Sequence, residues 1–273
     1  MGQSTVWPRN GGNLLLAGLP DADRALIERQ LESVTLEPGV VLYDPTSTID
    51  QVYFVDAGLV SFLSVFTDGT AVESAISGRE GMVGMAVFHG TNELPVQAVV
   101  QLPGVARRMT SPALRECLSN SAALRETLHH YAACLFMFAS QSVACMSKHH
   151  ATRRLARWLL HAGDCSGSDD IALTHLFLSH MLGVRRSSVT IAANALRAKG
   201  FITYSRKRFS ITDRDGLAGN SCECYGIVRS TYDRFLFGRA TESPLAGVES
   251  SREGISTLGS PHADPQPRSR RRP

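Results

Sequence analysis

The stretch that most restricts the fold is "LSHMLGVRRSSVTIAANALRAKGFI", Leu178 to Ile202. One helical apolar pattern ends at Gly183, and a second begins behind two adjacent arginines, Arg185 and Arg186. Glycine tolerates the backbone that closes a helix, so the spacing predicts two helices joined by a turn. The second helix, about 185–198, carries Ser187, Ser188, Thr190 and Asn194 on its outer face. Val189, Ile191 or Ala192, Ala195 and Leu196 are expected to hold it on a core. Upstream, "IALTHLFLSHML" supplies the first helix, with Thr174 as its N-cap. Downstream, "FITYSRKRFSIT" reads as a hairpin over 203–211 with Arg206, Lys207 and Arg208 at its tip. Helix, turn, helix and basic hairpin make a winged helix-turn-helix.

Charge narrows its use. Between Ile171 and Thr212 there is no Asp or Glu, while Arg185, Arg186, Arg197, Lys199, Arg206, Lys207 and Arg208 are all cationic. Such a footprint suits a polyanion, and solvated faces usually mix signs. A reading helix enters the DNA major groove by its N-terminal end, where Arg can bond guanine O6 and N7 together. Ser and Thr hydroxyls and Asn194 can reach bases or phosphates, Thr174 a phosphate, and the basic tip a phosphate backbone. The expected partner is therefore double-stranded DNA.

The N-terminal half is built differently. From Val34 to Thr110 short apolar runs alternate with turn signals at Pro38-Gly39, Asp56-Ala57-Gly58, Asp68-Gly69 and Pro103-Gly104. This spacing predicts a β-roll or jelly roll. A long helix follows, in which Leu124, Leu128, Tyr131, Leu135, Phe138, Ser142 and Cys145 keep 4-3 spacing. That is the seam either of a two-stranded coiled coil or of a helix buried within one subunit; the favoured reading is the homodimer, with Ala132, Phe136, Ala139 and Val143 packing on the roll. The fold class is α+β, with a sensor roll at 12–120, a dimerisation helix at 121–147 and a winged domain with a C-terminal helix at 148–238. The segment 239–273, rich in Ser, Pro, Gly and Arg, is expected to be a disordered tail.

No stretch in the 273 residues is apolar enough to span a membrane, and the short run Leu14–Leu19 lacks the context of a signal peptide, so a cytoplasmic location is expected. The six cysteines are scattered and read as reduced thiols. Cys222 and Cys224 form the only close pair, a poor metal site alone, and no metal is expected.

Roll, long helix, "RRLARWLL", helix-turn-helix and wing, in that order from Val34 to Thr212, resemble the Crp/Fnr family of bacterial transcription regulators. "LGVRRSSVTIAANAL" resembles that family's recognition segment. The resemblance places Arg186 at the leading base-reading Arg, Ser187 where a Glu is usual and Ile191 where a later Arg is usual. It implies a pseudo-palindromic operator of altered sequence, and RNA polymerase as a further partner. A signal in the roll would reset a hinge around Lys148 to Arg153.

"GREGMVGMAVFHGTNELPVQAVV" resembles the family's cyclic-nucleotide cassette in degenerate form, around Gly81, Gly84, Met85, Val96 and Gln97. Met85 stands where the family has Glu, and no Arg falls in the Pro95-Val96-Gln97 stretch. Burying a phosphodiester without a cation costs several kcal/mol, so no cyclic nucleotide and no other cofactor is expected. The family's iron–sulfur members carry an N-terminal cysteine cluster, absent here before Cys117, and haem would have only His89. The rival readings are a small-molecule-binding roll whose helix-turn-helix is vestigial or binds protein, and a cupin-like metalloenzyme. The second fails on ligands, because His89 is the only histidine between Val34 and Thr110. The chain is not expected to be an enzyme.

Overall fold

A computed structural model describes residues 7, 12–205 and 207–239. Two short helices, α1 (Leu14–Ala17) and α2 (Asp21–Glu28), precede strands β1 (Glu32–Leu36), β2 (Val41–Tyr43), β3 (Gln51–Val65), β4 (Ala71–Ser77) and β5 (Met82–Val83). The one-turn α3 (Met85–Phe88) leads to β6 (Gln97–Thr110). All pairings are antiparallel, in the order β1-β6-β3-β4, with β2 also on β6 and β5 also on β3.

Two of the predicted turns are not turns. Asp56-Ala57-Gly58 and Pro103-Gly104 lie inside the continuous strands β3 and β6, which face each other with register shifts at Val55/Ala57 and Ala57/Leu59. A Cβ on Gly104 would sit 1.9 Å from the Ala57 carbonyl oxygen, and Gly58 has φ +98°. Glycine here lets two backbones meet at a bulge, bending the pair where the sequence signal suggested a reversal. Asp68-Gly69 does close the β3–β4 hairpin, with Gly69 at φ +81°.

After α4 (Ser111–Asn120) comes α5 (Ala122–Lys148), capped by Ser121, whose hydroxyl accepts from Leu124 N–H at 3.0 Å. The winged domain comprises α6 (Ala151–Ser166), β7 (Asp170–Ile171), α7 (His175–Met181), α8 (Arg186–Ala198), β8 (Ile202–Ser205), β9 (Arg208–Ile211) and α9 (Arg214–Asn220). The chain then returns along α5 as α10 (Cys224–Phe237). The predicted tail lies outside the described residues apart from Arg239. Among the described residues no helix is long and apolar enough to cross a membrane.

The expected helix seam is corrected. Leu124, Leu128, Tyr131, Phe138, Ser142 and Cys145 are buried within their own chain, and Leu135 is half-buried. Tyr131 shows why: its hydroxyl donates to Ser77 Oγ at 2.9 Å, and it sits against Gly81, where a Cβ would lie 2.2 Å from that hydroxyl. The helix thus uses this line to grip the roll and α10. The line expected on the roll is only partly there: Ala132 and Ala139 are half-buried beside the roll, while Phe136 is 71% and Val143 65% exposed. Both lines share the same periodicity, so spacing could not tell them apart.

Candidate nucleic-acid interface

Thr174 Oγ1 accepts from Phe177 N–H at 3.1 Å and starts α7, and Gly183 at φ +57° turns the chain toward α8. Val189, Ala192, Ala193 and Leu196 are the buried face of α8. Of the alternatives Ile191 or Ala192, Ala192 is the buried one and Ile191 is 69% exposed; Ala195 lies outside the buried face, contrary to the sequence expectation, which counted positions without knowing the helix's rotation.

Arg185 is the N-cap residue, in extended conformation and exposed, and Arg186 opens the helix. Both guanidiniums share their end of the helix with the positive end of its dipole, an arrangement suited to anions. Ser187 is exposed beside them and Ser188 half-buried. A groove of about 540 Å³ separates α8 from the wing, lined by Thr174, His175, Leu176, Arg186, Tyr204, Ser205 and Lys207. Lys207 and Arg208 are exposed on the wing, while Arg206 lies outside the described residues.

Two predicted contacts are already engaged inside the motif. Thr190 Oγ1 donates to the Arg186 carbonyl at 3.2 Å and meets His175 Nδ1 at 3.0 Å, tying α8 to α7. Asn194 Oδ1 accepts from Tyr204 O–H at 2.8 Å and from Arg197 at 3.0 Å, tying α8 to the wing. Tyr204 in turn stacks on Phe209 and lies under the Arg197 guanidinium, 4.9 Å from ring centre to cation. Sequence reading missed Tyr204 as the post that sets the wing's angle; its place among alternating residues of the hairpin was the available signal. Burial, then the Arg186 charge, lowers the pKa of His175, which favours its neutral form in this basic setting.

The cassette region is a different kind of place. Gly84, at φ +102°, caps α3, Met85 is buried, and Gln97 reaches out to Asp44 at 2.8 Å. Val96 lines an apolar cleft of about 260 Å³ between the roll and α5, with Tyr43, Phe62, Met85, His89, Leu94 and Phe136 among its walls. None of the described residues lining it is Arg or Lys. Arg107 is committed to Asp56 at 2.8 Å and Arg108 to Glu32, so neither turns into the cleft.

Comparison with known proteins agrees with this geometry. A sequence profile for the Crp-like helix-turn-helix domain matches residues 153–219. No curated protein sequence matches the chain. Among solved structures, FixK2 from Bradyrhizobium japonicum aligns with TM-score 0.61 at 16% identity, over 70% of this chain and 98% of its own. A CRP-family transcriptional regulator from Thermus thermophilus aligns with TM-score 0.58 at 16% identity, over 69% and 96%. A CooA mutant from Carboxydothermus hydrogenoformans gives 0.55 at 14%, over 78% and 97%. The chain therefore has the fold of the Crp/Fnr transcription regulators and carries a Crp-like helix-turn-helix domain.

Proposed function

We propose that the chain is a sequence-specific transcription regulator acting as a homodimer on a pseudo-palindromic DNA site. The observation that carries this reading is the mouth of α8, where exposed Arg186 stands across a groove from Lys207 with exposed Arg185 beside it, and no carboxylate falls between Ile171 and Thr212. Arg185, Arg186 and Ser187 meet base edges, and exposed Ile191, one turn on, lies against a thymine methyl. Lys207 and Arg208 hold the phosphate backbone and contribute affinity more than sequence choice.

The dimer closes along Ala132, Phe136, Ala139 and Val143, whose 4-3-4 spacing, with Phe136 and Val143 exposed, suits a coiled coil. Two α8 helices then enter the groove about one helical turn apart. The apolar, cation-free walls of the cleft favour an uncharged apolar effector over a cyclic nucleotide. RNA polymerase is a partner by family resemblance alone.

The test is selection of the purified chain, without added ligand, against a random duplex library, then sequencing of the bound pool. The expected result is a two-fold symmetric motif with half-sites about 10 bp apart. Failure to enrich any motif, repeated in the presence of cell extract, would overturn the reading.

A further inference from the structure

Three cysteines and one histidine, far apart in sequence, converge where α5 ends and α10 begins. Cys145 and His149 lie four residues apart, one helical turn, at the C-terminal end of α5. Cys222 and Cys224 flank Glu223 at the start of α10. One ligand atom from each of Cys145, His149, Cys222 and Cys224 lies within 4.8 Å of all the others. Cys145 Sγ and Cys222 Sγ are 3.5 Å apart, and Cys224 Sγ is 3.6 Å from His149 Nδ1. All three thiols are at most 2% exposed and form a small buried cluster of their own. The pair that looked isolated in sequence has its partners upstream, Cys145 77 residues before Cys222 and His149 75 before Cys224.

These distances have a chemical meaning. An ion with bonds of about 2.3 Å to sulfur and 2.0–2.1 Å to nitrogen makes a tetrahedron with edges of about 3.5–3.8 Å. The two close pairs already match such edges. The compact quartet leaves room for a single ion, whereas an iron–sulfur cluster must spread its cysteines over several iron atoms. A disulfide would need its sulfurs at about 2.05 Å, and all six cysteines are free.

The surroundings are those of a metal site as well. The other imidazole nitrogen of His149, Nε2, faces Glu223 Oε1 at 3.2 Å, the carboxylate–histidine arrangement that fixes tautomer and ring orientation in metal ligands. Gln141 Nε2 donates to Cys224 Sγ at 3.1 Å.

We propose that Cys145, His149, Cys222 and Cys224 bind one zinc(II) ion tetrahedrally and clamp the end of α5 to α10. On binding, the protons of the three thiols leave to solvent, and neutral His149 coordinates through Nδ1 while Nε2–H donates to Glu223. Arg154 and Arg157 offset the net negative charge of three thiolates on a divalent ion. The clamp spans the joint between the long helix and α6, so it fixes the winged domain's angle. It does not rest on the DNA-binding reading.

Full-length chain purified without chelator and analysed for metal content should carry one zinc per chain, lost in Cys222→Ser/Cys224→Ser and kept in Cys117→Ser. Chelated chain titrated with cobalt(II) should develop the intense d–d and thiolate charge-transfer bands of a tetrahedral sulfur-rich site. Glu223→Gln, altering a side chain 57% exposed, keeps the fold if the cysteine variant does not. It should weaken zinc about 10- to 100-fold. Folded wild-type chain that takes up neither ion would overturn the proposal. So would zinc retained by the folded cysteine double variant, unchanged zinc affinity in Glu223→Gln, or a Cys145–Cys222 disulfide found as a two-hydrogen mass loss.

Discussion

At the scale of single residues, the motif separates side chains left free at the groove from side chains that brace. Arg186 ends free at the groove, whereas Thr190 and Asn194 spend their polar atoms on His175, Arg197 and Tyr204. Arg186→Ala should therefore cost about 1–3 kcal/mol of operator affinity and relax one base position. Lys207→Ala should weaken all sequences alike and lower the salt slope by about one ion. Titrations on matched and mismatched duplexes at several salt concentrations distinguish the two. A uniform loss for Arg186→Ala would count against base reading there. The arginines and the capping Thr174 were legible in sequence because charge and cap chemistry are local. Asn194's engagement was not, because Tyr204 reaches it across a hairpin whose angle no local pattern encodes.

At the scale of elements, α5 shows how far periodicity goes. A helix with two apolar lines announces two contacts without saying which is internal. Tyr131 decides it, since its hydroxyl finds Ser77 and its ring fills the space left by Gly81. That was legible only with the roll in place. The outer line is where the proposed dimer would close. Phe136→Asp with Val143→Asp should leave the monomer folded, since both side chains already face solvent. Sedimentation at micromolar concentration should then shift from dimer to monomer, with operator binding lost in parallel. An undiminished dimer would relocate the interface. The same lesson applies to β3 and β6: Gly58 and Gly104 signal unusual backbone, and a bulge and a turn share that signal.

At the scale of the whole molecule, roll and winged domain meet at one buried carboxyl. Trp158 of α6 donates to Glu73 Oε1 at 2.6 Å and Ser61 to Oε2 at 2.5 Å. Burial raises the Glu73 carboxyl from 4.5 to about 7. The folded chain thus keeps a proton that the unfolded chain releases, so this stabilisation is full below the unfolded value of 4.5 and lost as pH rises toward 7. It amounts to at most about 3 kcal/mol at 1.36 kcal/mol per unit. Glu73→Gln should flatten that part of the curve, read as urea midpoints at acid and neutral pH. Equal pH dependence in both proteins would mean Glu73 is ionised in the fold.

This junction is part of something larger. The buried apolar residues of the roll, of α5 and of the winged domain form one contiguous cluster, from Leu15 through Trp158 to Leu196, Phe209 and Tyr232. A core shared in this way cannot melt in halves without exposing its own middle. Calorimetry should accordingly record one endotherm with matching calorimetric and van't Hoff enthalpies, not two. Any small molecule that prefers the native chain, wherever it sits, then raises the midpoint of that single transition. Thermal scanning against a chemical library thus becomes a search for any small-molecule ligand of the chain, and it reads out binding wherever on the chain that ligand sits.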